Sequence, residues 1–226
     1  MKRNLPLLII LGVLIVAFVV SLLLYKTMKT APEAANSQKQ SQTAAQAVAG
    51  AEPPHVRGLD SAPVTLEEYG DFECPPCGGL YPILKNIEKE YGDRLRVVFR
   101  QFPLSQIHKH AYDAARAAEA ANAQGKFWEM HDMLYEKQQE WTLSPDPRTD
   151  FINYARALNL NEDAFMRDMV GEVASTRVMQ DMRRGKSRGV VGTPTLFVAD
   201  RQLKPEEMTV DGLHKAIEDA LIAKGK

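Results

Sequence analysis

The chain has two cysteines among 226 residues, and they stand together as Cys74-Pro75-Pro76-Cys77. No sulfur is left for a cross-linked framework, so the fold rests on a hydrophobic core, for which 45% apolar residues suffice. The surroundings of the pair favour one placement. Ala62 to Tyr69 alternates like a strand, and Leu80, Ile83, Leu84, Ile87 and Tyr91 recur at helical spacing. The pair therefore lies where a strand runs into a helix. There the first sulfur meets free backbone N–H groups and the positive end of the helix dipole, which favours a thiolate. Cys74 is the candidate nucleophile in disulfide exchange, and Cys77, one turn inside, is its resolving partner.

A second strand pattern runs from Leu95 to Phe102 and closes a βαβ unit. From about 107 to 188 the patterns are helical, broken at Gly125, at Ser144 to Pro147 and near Asn159 to Asn161. Ala111, Ala114, Ala115 and Ala118 allow close helix packing, and Phe127, Met130, Leu134, Phe151, Ala155 and Leu158 form apolar faces. After Gly192-Thr193-Pro194, Thr195 to Val198 reads as a strand, Asp200-Arg201 as a turn and Asp211 to Lys224 as a closing helix. The expected order is βαβ, a helical insertion, then ββα.

Upstream, Leu5 to Leu24 contains no charged residue, which is long enough to span a bilayer. A cleavable signal has a shorter apolar region and ends at small residues, whereas this run ends in Leu22-Leu23-Leu24-Tyr25-Lys26. Residues 1–28 are expected to be an anchor, 29–55 a flexible linker of Ala, Gln, Ser and Pro, and 56–226 one folded domain. Lys and Arg number 28 against 29 Asp and Glu, so no overall field argues for nucleic acid as a partner.

Several segments together resemble the DsbA-like thiol–disulfide oxidoreductases of the thioredoxin superfamily, over roughly Val56 to Ala223. They are Glu68 to Cys77, Arg100 to Leu104, Gln124 to Trp128, and Gly192-Thr193-Pro194-Thr195. The resemblance implies an α/β thioredoxin-like fold with a helical insertion, here preceded by a transmembrane helix. It implies a cis bond at Pro194, which faces the cysteines, with Thr193 offering its backbone to an extended substrate. Pro75 and Pro76 would border the same substrate site. Glu68, six residues before Cys74, would lie beneath the redox pair and handle the proton of the inner thiol. Strand alternation leaves a second reading of Glu68, a solvated carboxylate. No cofactor beyond the cysteine pair and no metal is expected.

Two prolines between the cysteines remove a backbone donor and supply no cationic side chain, and Asp71 and Glu73 add negative charge nearby. A redox potential between roughly −120 and −270 mV is therefore expected. The expected function is disulfide exchange with protein substrates, as an oxidase served by a membrane redox partner. A reductase or isomerase role stays open, as does a metal chaperone or redox-inert binding module. Because disulfides persist outside the reducing cytosol, the domain is expected to be periplasmic or otherwise extracytoplasmic, on a single-pass anchor.

Overall fold

The structure is a computed structural model that describes Phe18, Ser21, Leu22 and residues 48–225. The chain divides into Met1–Gln46 and Ala47–Lys226. Of the first unit, Phe18, Ser21 and Leu22 are helical and exposed. The rest of the expected anchor, and the linker up to residue 47, lie outside the described residues. Among the described residues no helix is long and apolar enough to cross a membrane.

The second unit carries five strands and eight helices among its described residues: β1 (His55–Arg57), β2 (Val64–Gly70), α1 (Pro75–Tyr91), β3 (Leu95–Gln101), α2 (Ala111–Asn122), α3 (Phe127–Glu136), α4 (Gln138–Trp141), α5 (Pro147–Ala157), α6 (Glu162–Val170), α7 (Glu172–Ser187), β4 (Thr195–Val198), β5 (Arg201–Gln202) and α8 (Val210–Ala223). The sheet order is β1-β3-β2-β4-β5. β2 is parallel to β3 and antiparallel to β4, which makes it the central strand and sets Glu68 between Phe99 and Leu196. A central strand is hydrogen-bonded on both edges and covered on both faces, so every side chain on it except Thr65 is buried.

Two apolar clusters build the body. One joins Val64, Leu66 and Val97 of the sheet to Leu80, Leu84 and Ile87 of α1 and to Leu213, Ile217 and Leu221 of α8. The other lies in the helical insertion, where Ala114, Ala117, Ala118 and Ala121 let Phe127, Met130, Phe151 and Phe165 close around α2. Small side chains on α2 are what permit this approach. Cys74, Cys77, Phe72 and Phe99 belong to the same cluster, so the insertion packs directly on the dithiol end of the sheet.

Two boundaries differ from the sequence reading. The packed body begins before position 56: Ala51 N–H donates to Asp181 (2.8 Å), Arg100 donates to Ala51 O (2.9 Å), and His55 stacks on Phe127 with centroids 3.4 Å apart. A three-residue strand carries too little periodicity to be read, and β1 is such a strand. The turn before β5 sits at Ala199-Asp200, both at positive φ (47° and 68°), with Arg201 already in the strand. Of the four methionines that could have lined a surface, Met169 is buried and Met182 packs against Tyr69 and Phe102, while Met166 and Met179 are exposed.

Candidate active site

Cys74 is the N-cap of α1 and Pro75 its first residue, where a missing N–H breaks no helical bond. Both cysteines are free thiols. Cys77 is wholly buried one turn into the helix, and Pro75 and Pro76 between them are exposed. The two sulfurs titrate in opposite directions. A hydrogen bond from Cys77 holds Cys74 down to about 6, against the cost of burial and the opposing charge of Asp71. Burial, followed by the adjoining Cys74, pushes Cys77 well above the usual thiol range. One sulfur is thus a ready thiolate near neutral pH, and the other keeps its proton.

The loop before β4 comes back over this pair. The Thr193–Pro194 bond is cis, and Cys74 Sγ lies 3.3 Å from Thr193 O, to which the thiol donates. Thr195 Oγ1 donates to Gly192 O at 2.8 Å, which ties the loop to the strand it opens. The structure therefore brings Cys74, Pro75, Pro76, Thr193 and Pro194 to one place from two segments about 119 residues apart.

Glu68 is inward-facing rather than solvated. It is 4% exposed, and burial, with repulsion from Glu88, pushes its carboxyl up to about 8. Its charge in turn contributes to the raised pKa of Cys77.

Asp71 and Glu73 are not the loose surface acids that one reading of a strand end allows. Asp71 Oδ1 accepts from Glu73 N–H (2.8 Å), while Oδ2 accepts from Leu104 N–H (2.8 Å) and lies 2.7 Å from His108 Nδ1. Glu73 Oε2 accepts from His110 N–H at 2.6 Å, at the start of α2. These two acids fasten the loop leading into the insertion onto the turn that carries Cys74. His108 and His110 are accordingly a loop and a helix-start residue.

Gln138 was not foreseen. Its side-chain amide donates to Phe72 O and to Cys74 O, both at 2.8 Å, and so holds the cysteine turn from the insertion side. The trace of it in the sequence is Gly78, where a β-carbon would collide with the Gln138 amide oxygen. A glycine in the first turns of a helix weakens the helix, which signals a close approach. Among the described residues, no group of three or more His, Cys, Asp or Glu is placed to hold a metal ion.

A sheet-to-helix dithiol faced by a cis-proline loop and roofed by a helical insertion has close parallels. Residues 50–219 match the thioredoxin family, and the chain belongs to it. Oxidised BdbD from Bacillus subtilis is 26% identical with a TM-score of 0.65, covering 76% of this chain and 98% of that one. A thioredoxin-like oxidoreductase from Silicibacter pomeroyi DSS-3 is also 26% identical, with a TM-score of 0.63 over 75% of this chain and 93% of its own. MdbA, a thiol-disulfide oxidoreductase from Corynebacterium diphtheriae, shares the fold at 18% identity and a TM-score of 0.60, over 76% and 92%. Within the family this chain is a thiol–disulfide oxidoreductase. A curated relative is also similar: the Na(+)/H(+) antiporter NhaA 1 of Salinispora arenicola (strain CNS-205) is 43% identical over 148 residues, 66% of this chain and 22% of that protein. The chain thus spans about a fifth of the length of the curated relatives it matches.

Proposed function

We propose that this chain is a membrane-tethered, extracytoplasmic disulfide oxidase that passes the Cys74–Cys77 disulfide to protein substrates. The observation that carries this reading is the split between the two thiols, with Cys74 held down to about 6 and Cys77 pushed up. A stabilised thiolate favours the reduced form of the pair, which makes its disulfide the better oxidant. A value near 6 falls between reference thiolates of roughly 7 in thioredoxin and 3.5 in a strong oxidant, so the potential is expected between about −270 and −120 mV.

In this reading Cys74 is the sulfur attacked by substrate thiolates and Cys77 leaves and returns as its partner. Glu68 manages the proton of Cys77, and the Thr193–Pro194 loop with the exposed Pro75 and Pro76 borders the substrate. The tether rests on the uncharged run from Leu5 to Leu24. The extracytoplasmic location and a membrane protein that reoxidises the pair follow from the chemistry, because a disulfide donor needs a non-reducing compartment and a supply of disulfides. The antiport named for the curated relatives is not part of this reading, since the matched portion is 22% of their length.

A reductase or isomerase fed with electrons is the second reading. It is favoured by Asp71, whose charge raises Cys74, and by Pro76, which supplies no cation beside the sulfur. The experiment is an equilibrium titration of the full chain against glutathione, followed by thiol alkylation. A potential at the oxidising end, with Cys74-dependent oxidation of a reduced test protein, supports the oxidase. A value near −270 mV selects the reductase or isomerase, and the lack of any reversible couple overturns both.

A further inference from the structure

The two faces of the sheet are covered unequally. α1 and α8 pack on one face. On the other, α7 meets the dithiol-side half of the strands, where its backbone at Gly185 comes up against Tyr69 and Phe102. Over the starts of β2 and β3 it leaves a cavity of about 220 Å³. Alternation along the paired strands turns Thr65 and Glu67, and Arg96, Val98 and Arg100, to this face. Arg184 of α7 and Lys224, just past α8, also line the space. It has room for several waters, and so for a tetrahedral oxyanion.

The lining carries more cationic donors than the protein's own acids take up. Its carboxylates are Glu67 and Asp200, and both are engaged: Arg100, Arg184 and Arg188 donate to Glu67, and Arg188 donates to Asp200 at 3.3 Å. Behind the lining, Asp181 accepts from Arg100 and from the Ala51 and Gln101 N–H groups.

Three cationic groups are left over. The Arg96 guanidinium makes no hydrogen bond among the described residues. Its Nε is buried without a partner, and its Nη1 stands 3.6 Å from the exposed Asp60, beyond hydrogen-bond length. Arg100 is 5% exposed; its Nε and Nη1 are bonded, and its Nη2 has no partner among the described residues. Lys224 is exposed at the rim. Guanidinium groups with spare N–H donors match the oxygens of an oxyanion, which accepts from several directions at once.

We propose that this cavity binds a phosphate group, held by Arg96, Arg100 Nη2, Lys224 and the Thr65 hydroxyl. The site is separate from the exchange chemistry: from Thr65 the strand rises roughly 17 Å to Gly70 before the turn to Cys74. Free phosphate and the phosphate of an anionic lipid headgroup offer the same recognition chemistry. The segment running back toward the linker passes the cavity at Pro54, and Arg184 also reaches Val48 O at 3.5 Å. A headgroup bound there would turn the dithiol away from the bilayer.

The test is titration calorimetry on the full chain in non-ionic detergent, with inorganic phosphate and sodium chloride at matched ionic strength. Phosphate should bind with a dissociation constant of about 1 mM or tighter, and the thermal midpoint should rise with its concentration, as it does not with chloride. Arg96→Gln should weaken binding roughly 10- to 100-fold, the range of a charge-assisted hydrogen bond, and Arg96→Lys should restore part of it. Lys224→Gln, at an exposed position where folding is retained, should weaken it by a few-fold. Cys74 alkylation should not change when phosphate is added. Glycerophosphoglycerol, a lipid headgroup without its tails, separates the sources: tighter binding than phosphate assigns the headgroup, and weaker binding assigns the free ion. Failure of both probes to bind beyond the chloride control overturns the site, and so does binding that is unchanged in Arg96→Gln and Lys224→Gln.

Discussion

Glu67 and Glu68 are neighbours on β2, about equally buried at 6% and 4% exposure, and they end in opposite charge states. Glu67 faces the side covered by α7. There Arg100 and Arg184 donate to its Oε1 at 3.0 and 2.9 Å, and Arg188 donates to Oε2. Burial works against its charge, but the three guanidiniums prevail and hold the carboxyl below its usual range. Glu68 faces α1 and the dithiol with no such partner, and burial pushes it up to about 8. Burial alone therefore does not decide the charge of a carboxyl; the counter-charge on the covering element does. One face of the strand uses a glutamate to lock a helix in place. The other keeps a proton available beside a sulfur.

The sharpest way to break the comparison is to neutralise the locked member. Glu67→Gln leaves three arginines facing a neutral amide, and chemical unfolding should show a loss of about 3–5 kcal/mol, as for a severed buried ion pair. A loss under about 1 kcal/mol would mean that the cluster contributes little.

The other member should respond with the opposite sign. Glu68 has a folded pKa near 8, above its unfolded value, so the folded state holds a proton that the unfolded chain releases. Its contribution is fully present below about pH 4 and is lost as pH rises through about 8. Glu68→Gln should therefore stabilise the reduced protein at pH 7, by on the order of 3 kcal/mol, and remove the slope between pH 4 and 8. Unfolding measured at three pH values within that window decides it, and a variant less stable at pH 7 would contradict the assignment. For Glu67 the window lies on the acid side: its contribution is present above the unfolded pKa and lost as pH falls through the depressed folded one.

A smaller effect is expected at the cysteine turn. Gln138→Ala removes the amide that donates to Phe72 O and Cys74 O and should cost roughly 1–3 kcal/mol. It should also broaden the pH dependence of Cys74 alkylation, and an unchanged profile would show that the turn holds its shape alone. The smallest effect sharpens the comparison: alkylation of Cys74 should be half-maximal near pH 6 in the unmodified chain and should move little in Glu67→Gln, because that glutamate faces away from the sulfurs.

The sequence carries the outline of this site but not its wiring. Alternation along Val64 to Tyr69 sends one glutamate to each face, and adjacency to the cysteines marks the strand-to-helix junction. Nothing local identifies Arg184 and Arg188, more than a hundred positions away, as what separates Glu67 from Glu68. The same holds for Gln138, whose role depends on how the insertion lies on the sheet. The helix breaks at Gly125 and Asn159 were readable because they are turn chemistry, and both residues have positive φ. Asp71 was readable only as a charge, since two of its three hydrogen bonds, those with Leu104 and His108, depend on where the loop at Leu104 to His108 returns.

Both cysteines belong to the exchange pair, and neither ties the body together. The folded body is held by its apolar clusters and buried ion pairs, so a newly made chain reaches its shape before any disulfide donor acts on it. A protein that exchanges disulfides with others thereby keeps its own fold independent of that chemistry. Each cycle of reduction and reoxidation can then run without loosening the scaffold that positions the next one.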